Sequence, residues 1–269
     1  LRFLVGRLQL VVDRLLLLDD RLQVFAGGDQ LLATLRAEAV ERPELEKDLL
    51  YRAADLNGTL VRPADTWSLY EEVGKHFGRD DDLLGRMAAW CKQREKREDA
   101  RRLYGEFKNR AAGLGNIAAM LLEEGKVAEA IEVFRKLIEI DGEHADAHLW
   151  SIAECHEKLA EWKKAIGTYQ QVDRFPDNQF RMAACHRKLG ELQEAIVLYN
   201  QIKIVDSAAP EASLQIGFTY EEAKEKEKAI RTFQLTCKRY PKSGEAGRAH
   251  AHLQNEYNIN VTLGGSEEE

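Results

Sequence analysis

Two Cys-His pairs, Cys155-His156 and Cys185-His186, recur 30 residues apart and raise the possibility of metal ligation. Neighbouring helical residues point about 100° apart, so one ion hardly takes both members of a pair. His156 and His186 instead stand where Tyr220 stands in a later unit, so they are expected to fill space between helices. His144 and His148 are spaced i, i+4 and could touch one ion, with no third ligand in view. Gly113-Leu-Gly115-Asn-Ile-Ala-Ala matches G-x-G-x-x-A, but no strand precedes it and no strand with an acidic end follows, so a dinucleotide site is not expected. HExxH, GxSxG and P-loop patterns are missing from the chain. The acidic runs Asp80-Asp81-Asp82 and Glu221-Glu222 read as solvated faces. These residues imply no metal, no cofactor and no catalytic constellation.

The positions that could do chemistry therefore look like parts of helices. Composition agrees: 32% of the 269 residues are charged, 44% are hydrophobic and only 5 are proline, which suits long helices and excludes a disordered or collagen-like chain. A net charge of −7 supplies no basic field for nucleic acid. The most apolar stretch, Leu1 to Asp20, is broken by Arg2, Arg7, Asp13 and Arg14, so no membrane insertion is expected. Cys91, Cys155, Cys185 and Cys237 have no CxxC spacing and read as buried free thiols, which points to the cytoplasm. A periplasmic location follows instead if a signal segment has been removed ahead of Leu1.

Internal repetition organises these helices. Six anchors, Thr66, Ala100, Ala130, Ala165, Ala195 and Ala229, are separated by 34, 30, 35, 30 and 34 residues. Four residues after each stands an aromatic: Tyr70, Tyr104, Phe134, Tyr169, Tyr199 and Phe233. Twelve residues before each stands a small residue: Ala54, Ala88, Ala118, Ala153, Ala183 and Gly217. A small residue lets two helices approach closely, and an anchor with an aromatic one turn later forms a single face. Neither face can be buried alone, so each hairpin must stack on its neighbours.

The pattern resembles the tetratricopeptide repeat, with W-x2-L-G-x2-Y in its first helix and A-x3-F then Pro in its second. The last unit carries it most fully, with Ile216, Gly217, Tyr220, Ala229, Phe233 and Pro241. The resemblance implies an all-α, right-handed α-solenoid of about six hairpins, in units 47–80, 81–110, 111–145, 146–175, 176–209 and 210–242. A capping helix is expected over 243–257, with Ala251 in its small column, followed by a flexible tail over 258–269. At the other end, residues 1–41 read as a helical hairpin. Its seam of Leu4, Leu8, Val11, Leu15, Leu18, Leu22 and Phe25 either packs on the first repeat or forms a homodimer contact.

In such a solenoid the first helices line a concave surface, and residues fifteen, eleven and eight before each anchor share one stripe. That stripe holds Trp150, Phe180, Leu214 and Phe218, rimmed by Glu154, Glu157, Arg181 and Arg187. Apolar groups inside a polar rim are what a partner peptide or helix would bury. The Lys and Asn clamp of the family's chaperone-binding members is replaced here by Tyr, Gly, Trp, Phe or Leu. A non-enzymatic protein-interaction scaffold is the reading these residues carry. An envelope assembly factor, suggested by Arg239-Tyr240-Pro241-Lys242-Ser243 before another helix, and a regulatory segment of a larger enzyme stay open beside it.

Overall fold

The computed structural model of the protein describes residues 33–35, 37, 46–59 and 63–264. The expected hairpin and dimer seam of residues 1–41 lie outside the described residues, apart from four positions. The chain divides into two compact units, Leu1–Gly113 and Leu114–Glu269. Among the described residues there is helix and no strand.

In the first unit α1 (Glu46–Thr59) packs against α2 (Pro63–Phe77), and α3 (Asp81–Gln93) against α4 (Arg97–Gly105). The helix α5 (Arg110–Glu123) begins at the end of this unit. The second unit continues through α6 (Val127–Ile140), α7 (Ala145–Lys158), α8 (Trp162–Tyr169), α9 (Asp177–Leu189), α10 (Leu192–Ile202), α11 (Ala209–Glu222), α12 (Lys226–Arg239) and α13 (Gly244–Tyr257). From α6 onward each helix packs on the next, and α11 also touches α13.

The repeat columns form the core. The five anchor alanines are fully buried, Thr66 is nearly so, and every small-column residue is buried beneath a neighbouring helix. In three clusters the buried residues come from three consecutive helices. Ala153, Ala165, Ile166 and Tyr169 meet Met182 and Cys185 across α7, α8 and α9. Ala183, Ala195 and Tyr199 meet Ala212 and Ile216 across α9, α10 and α11. No hairpin closes its own core, which is the physical content of a solenoid.

One backbone device turns each of five hairpins. Glu95, Gly125, Ala160, Gly190 and Lys224, each five residues before its anchor, adopt left-handed φ values of 57°, 74°, 55°, 76° and 59°. The next N–H in each case donates to a carbonyl five residues back, as Glu161 N does to His156 O at 2.9 Å and Glu191 N to His186 O at 2.9 Å. These are Schellman ends, which satisfy the last carbonyls of the first helix. A Cβ in the left-handed region costs roughly 1–2 kcal/mol. Ala160→Gly is therefore expected to raise stability by about 1 kcal/mol and Gly190→Ala to lower it by a similar amount, read from urea midpoints. A shift of the same sign in both would contradict this account of the turn.

The acidic run Asp80-Asp81-Asp82 departs from the solvated face expected of it. Asp80 caps α3, accepting from Leu83 N at 2.9 Å, and also pairs with Lys47. Asp81 accepts from Lys108 N at 2.7 Å and Asn109 N at 2.9 Å, tying the turn before α5 to the start of α3. The Lys47 hydrogen bond, then the Leu83 N–H, hold the Asp80 carboxyl below the usual carboxylate range. Asp80→Ala is expected to cost about 1 kcal/mol. Because the folded value is the lower one, this stabilisation is complete above the unfolded value of about 4 and is lost as pH falls through the folded value. Wild type and variant should therefore differ by denaturant midpoint at pH 6 and converge towards pH 2.

Gly113, the first of the two glycines that mimic a dinucleotide fingerprint, has a structural reason. It lies in the first turn of α5, where a Cβ would stand 2.3 Å from the Tyr104 carbonyl oxygen. The glycine is needed for close backbone approach, within a helix.

Two expectations at the carboxyl end are corrected. Ala251 is exposed, and the packed face of α13 is Ala246, Ala249 and Leu253, spaced i, i+3, i+7. Of the tail expected over 258–269, residues 258–264 are described and lie against the array: Ile259 and Val261 pack on the cluster of Leu214, Phe233 and Leu253, and Gly264 N donates to Cys237 O at 3.3 Å.

Candidate functional site

The second unit brings the expected stripe together on its first helices, α7, α9 and α11, with a different division of labour. Leu214 is fully buried among Ala229, Phe233, Cys237, Ala249 and Leu253, so it belongs to the core. Trp150, Phe180 and Phe218 are half-buried. Their rings lie 5.0 Å from Tyr169, 6.0 Å from Tyr199 and 5.2 Å from Phe233, the aromatics of their own hairpins. The reason is local geometry. Trp150 and Phe180, fifteen before their anchors, are i, i+3 to the small column twelve before them, so their large side chains turn onto the packed face, whereas Phe218, eleven before its anchor, adjoins Gly217, against which the Phe233 ring packs. Arg174 then covers the Trp150 ring, with its guanidinium carbon 4.7 Å from the ring centre.

The rim residues link one hairpin to the next. Arg181 on α9 donates to Glu154 on α7 at 2.8 Å and to the Tyr169 hydroxyl at 3.2 Å, and lies 3.5 Å from Glu157. Arg187 reaches forward to α11, donating to Gln215 at 2.6 Å and Glu222 at 3.0 Å. Glu221 accepts from Tyr257 and meets His252 Nε2 of α13 at 2.7 Å. Arg248 of α13 pairs with Glu211 of α11. The facing surfaces thus alternate in sign: α7 acidic, α9 basic, α11 acidic, α13 basic. Hydrogen bonding to Glu222 raises the Arg187 guanidinium further, against the penalty of its burial. For Arg181, burial acts against the charge and Tyr169 and Glu157 outweigh it. Glu221 and Glu222, read from sequence as solvated, are members of this ladder.

The histidines serve the turns. His156 Nδ1 meets Glu161 at 2.7 Å and His186 Nδ1 meets Glu191 at 2.7 Å, each across its own Schellman turn. His144 and His148 both bond to Asp141, at 2.8 and 3.2 Å. The four cysteines are buried and free. Burial, then Glu157, pushes the Cys185 thiol up to about 12, so it is no thiolate at pH 7.

Between α7 and α9 lies an open cleft of about 510 Å3. Arg181, Glu154 and Glu157 form its paired floor, and exposed Ala184 leaves room above Cys185. Trp162 forms one wall, and Lys158 and Lys188 stand on the rim. Both lysines are exposed and neither has an ion pair among the described residues. Sequence reasoning missed Lys158, Trp162 and Lys188. Their signal was present in the two lysines, each seven residues before an anchor and so one column beyond the stripe.

Models of the tetratricopeptide repeat match residues 121–189 and, separately, residues 177–203 and 211–243. Over these residues the chain is built of tetratricopeptide repeats. No curated protein matches it. Among solved structures, the C-terminal part of a tetratricopeptide-repeat-containing protein from Cytophaga hutchinsonii is 16% identical, covering 84% of this chain and 98% of that one with a TM-score of 0.55. The likeness is one of fold. YrrB, described as a TPR protein with an unusual peptide-binding site, is 18% identical over 67% of this chain and 96% of its own, with a TM-score of 0.45. MamA is 16% identical over 67% of this chain and 97% of its own, with a TM-score of 0.47. The residues matched by the repeat models contain α7 through α12 and the cleft.

Proposed function

We propose that the chain is a non-enzymatic interaction scaffold that takes a partner peptide or helix along the first helices of its second unit, centred on the cleft between α7 and α9. The observation that carries this reading is the contrast between the cleft's floor and its rim. Every floor charge is already satisfied within the protein, while Lys158 and Lys188 stand unpaired beside a partly exposed Trp162. Satisfied charges hold the helices in register, and the remaining cations and indole face are free for a ligand. Trp150, Phe180 and Phe218 are engaged with Tyr169, Tyr199 and Phe233 rather than with the cleft, and are not primary anchors.

The test is affinity capture with the full chain as bait, followed by mass spectrometry. Lys158→Glu together with Lys188→Glu is expected to leave helicity unchanged and to lose the captured partner. Glu194→Lys, exposed on α10, should retain it. Capture by the double variant equal to that of wild type would overturn the cleft assignment.

A further inference from the structure

A second concavity lies away from that cleft, lined by residues of α10, α11 and α12. It encloses about 160 Å3, with Asn200, Lys203, Ser213, Tyr220, Thr232 and Arg239 on its walls. Among the described residues its only charged wall groups are Lys203 and Arg239, both positive. Neither forms an ion pair among the described residues, which sets them apart from Arg181 and Arg187 in the same unit. The Lys203 ammonium turns back along α10 to within 3.5 Å of exposed Asn200 Oδ1, and the residue as a whole is half-buried. Burial, and then the Arg239 charge, hold it below the ordinary lysine range. Arg239, exposed at the end of α12, is the charged group beside it, and Tyr220 is the other titratable group on the wall.

The repeat does not require this pair. Lys203 stands eight residues after its anchor, where the neighbouring hairpins have Asp173 and Cys237. Arg239 stands ten after its own, where Phe175 and Val205 stand. Two cations brought together without a carboxylate raise the energy of the empty site, and an anion between them lowers it.

We propose that this notch is a phosphate-binding site, with Lys203 and Arg239 closing on the oxyanion. A single carboxylate carries one charge and would leave the pair half-neutralised. A phosphoryl group carries roughly −1.5 to −2 at pH 7 and balances both. The guanidinium takes two of its oxygens side by side, and the ammonium acts as a point charge on a third. The volume equals that of about five waters at roughly 30 Å3 each, enough for a four-oxygen anion. Inorganic phosphate and a phosphorylated side chain share this chemistry.

The full chain would be titrated calorimetrically with potassium phosphate against potassium chloride at matched ionic strength and pH 7. A saturable response to phosphate alone is expected. Lys203→Met with Arg239→Gln should weaken it by about tenfold or more, the weight of one charge-assisted hydrogen bond. Lys203→Arg should retain it, and far-UV circular dichroism would verify that both variants are folded. The Lys203 side-chain titration, followed by NMR, should move to higher pH when phosphate saturates. A non-saturating response, or one unchanged in the folded double variant, would overturn the site. In the second arm a blocked Ala-phosphoserine-Leu peptide competes with inorganic phosphate. Tighter binding by the peptide assigns the site to a phosphorylated chain, and weaker binding assigns it to free phosphate. Equal competition by the unphosphorylated peptide would defeat the oxyanion assignment.

Discussion

Phe233→Ala is expected to lower the stability of the C-terminal hairpins by about 3–5 kcal/mol, the usual cost of emptying a buried phenylalanine site. Phe233 is fully buried and meets Leu214 from α11 and Leu253 from α13. Its ring lies 5.2 Å from Phe218 and 5.0 Å from His252. One truncation therefore removes the contact that ties three helices together. In a stacked array the loss stays local, because each hairpin is held by its neighbours alone. Amide hydrogen exchange should quicken across α12 and α13 while that of α7 is unchanged. Uniform acceleration throughout the second unit would contradict this locality.

The second large effect comes from the residue that Phe233 covers. A Cβ on Gly217 would stand 2.3 Å from Cε1 and 2.7 Å from Cδ1 of that ring. Alanine normally improves a helix over glycine by about 1 kcal/mol. At Gly217 overpacking reverses the sign, and Gly217→Ala is expected to destabilise by about 1–3 kcal/mol. Gly167, inside α8, has nothing within 4 Å of its Cβ direction, so Gly167→Ala should stabilise. Opposite shifts of the two urea midpoints are the expected result, and equal shifts would remove the steric argument. Phe233→Leu added to Gly217→Ala should recover part of the loss, since contacting residues couple.

The pairing of Gly217 with Phe233 belongs to the part of the fold that was legible in the sequence. Small residue, anchor and aromatic are set by helix periodicity within one chain segment, so their columns survive units of unequal length. Glycine marks only two of the five hairpin turns, Gly125 and Gly190. Glu95, Ala160 and Lys224 adopt the same left-handed backbone without glycine, because the Schellman hydrogen bonds on either side impose it. The candidate site was less legible, since its assignment depended on which way a side chain leans. Trp150, Phe180 and Phe218 lie where the stripe predicts, but lean onto Tyr169, Tyr199 and Phe233. Leu214 disappears into the core because α13 closes over it, and the choice of Ala249 over Ala251 depends on that same closure. The partners of Arg181 and Arg187 stand 27 and 35 residues away, beyond the reach of any local period.

The alternation of acidic and basic first helices restricts how such a protein can change its length. Removing α9 and α10 as a unit would set Glu154 and Glu157 of α7 opposite Glu221 and Glu222 of α11. Copying them in place would set Arg181 and Arg187 against their own duplicates. Either event juxtaposes like charges where neighbours now attract. This stretch of the array can therefore gain or lose hairpins without electrostatic conflict only two at a time, so the sign of each helix acts as a parity rule on the order of the repeats.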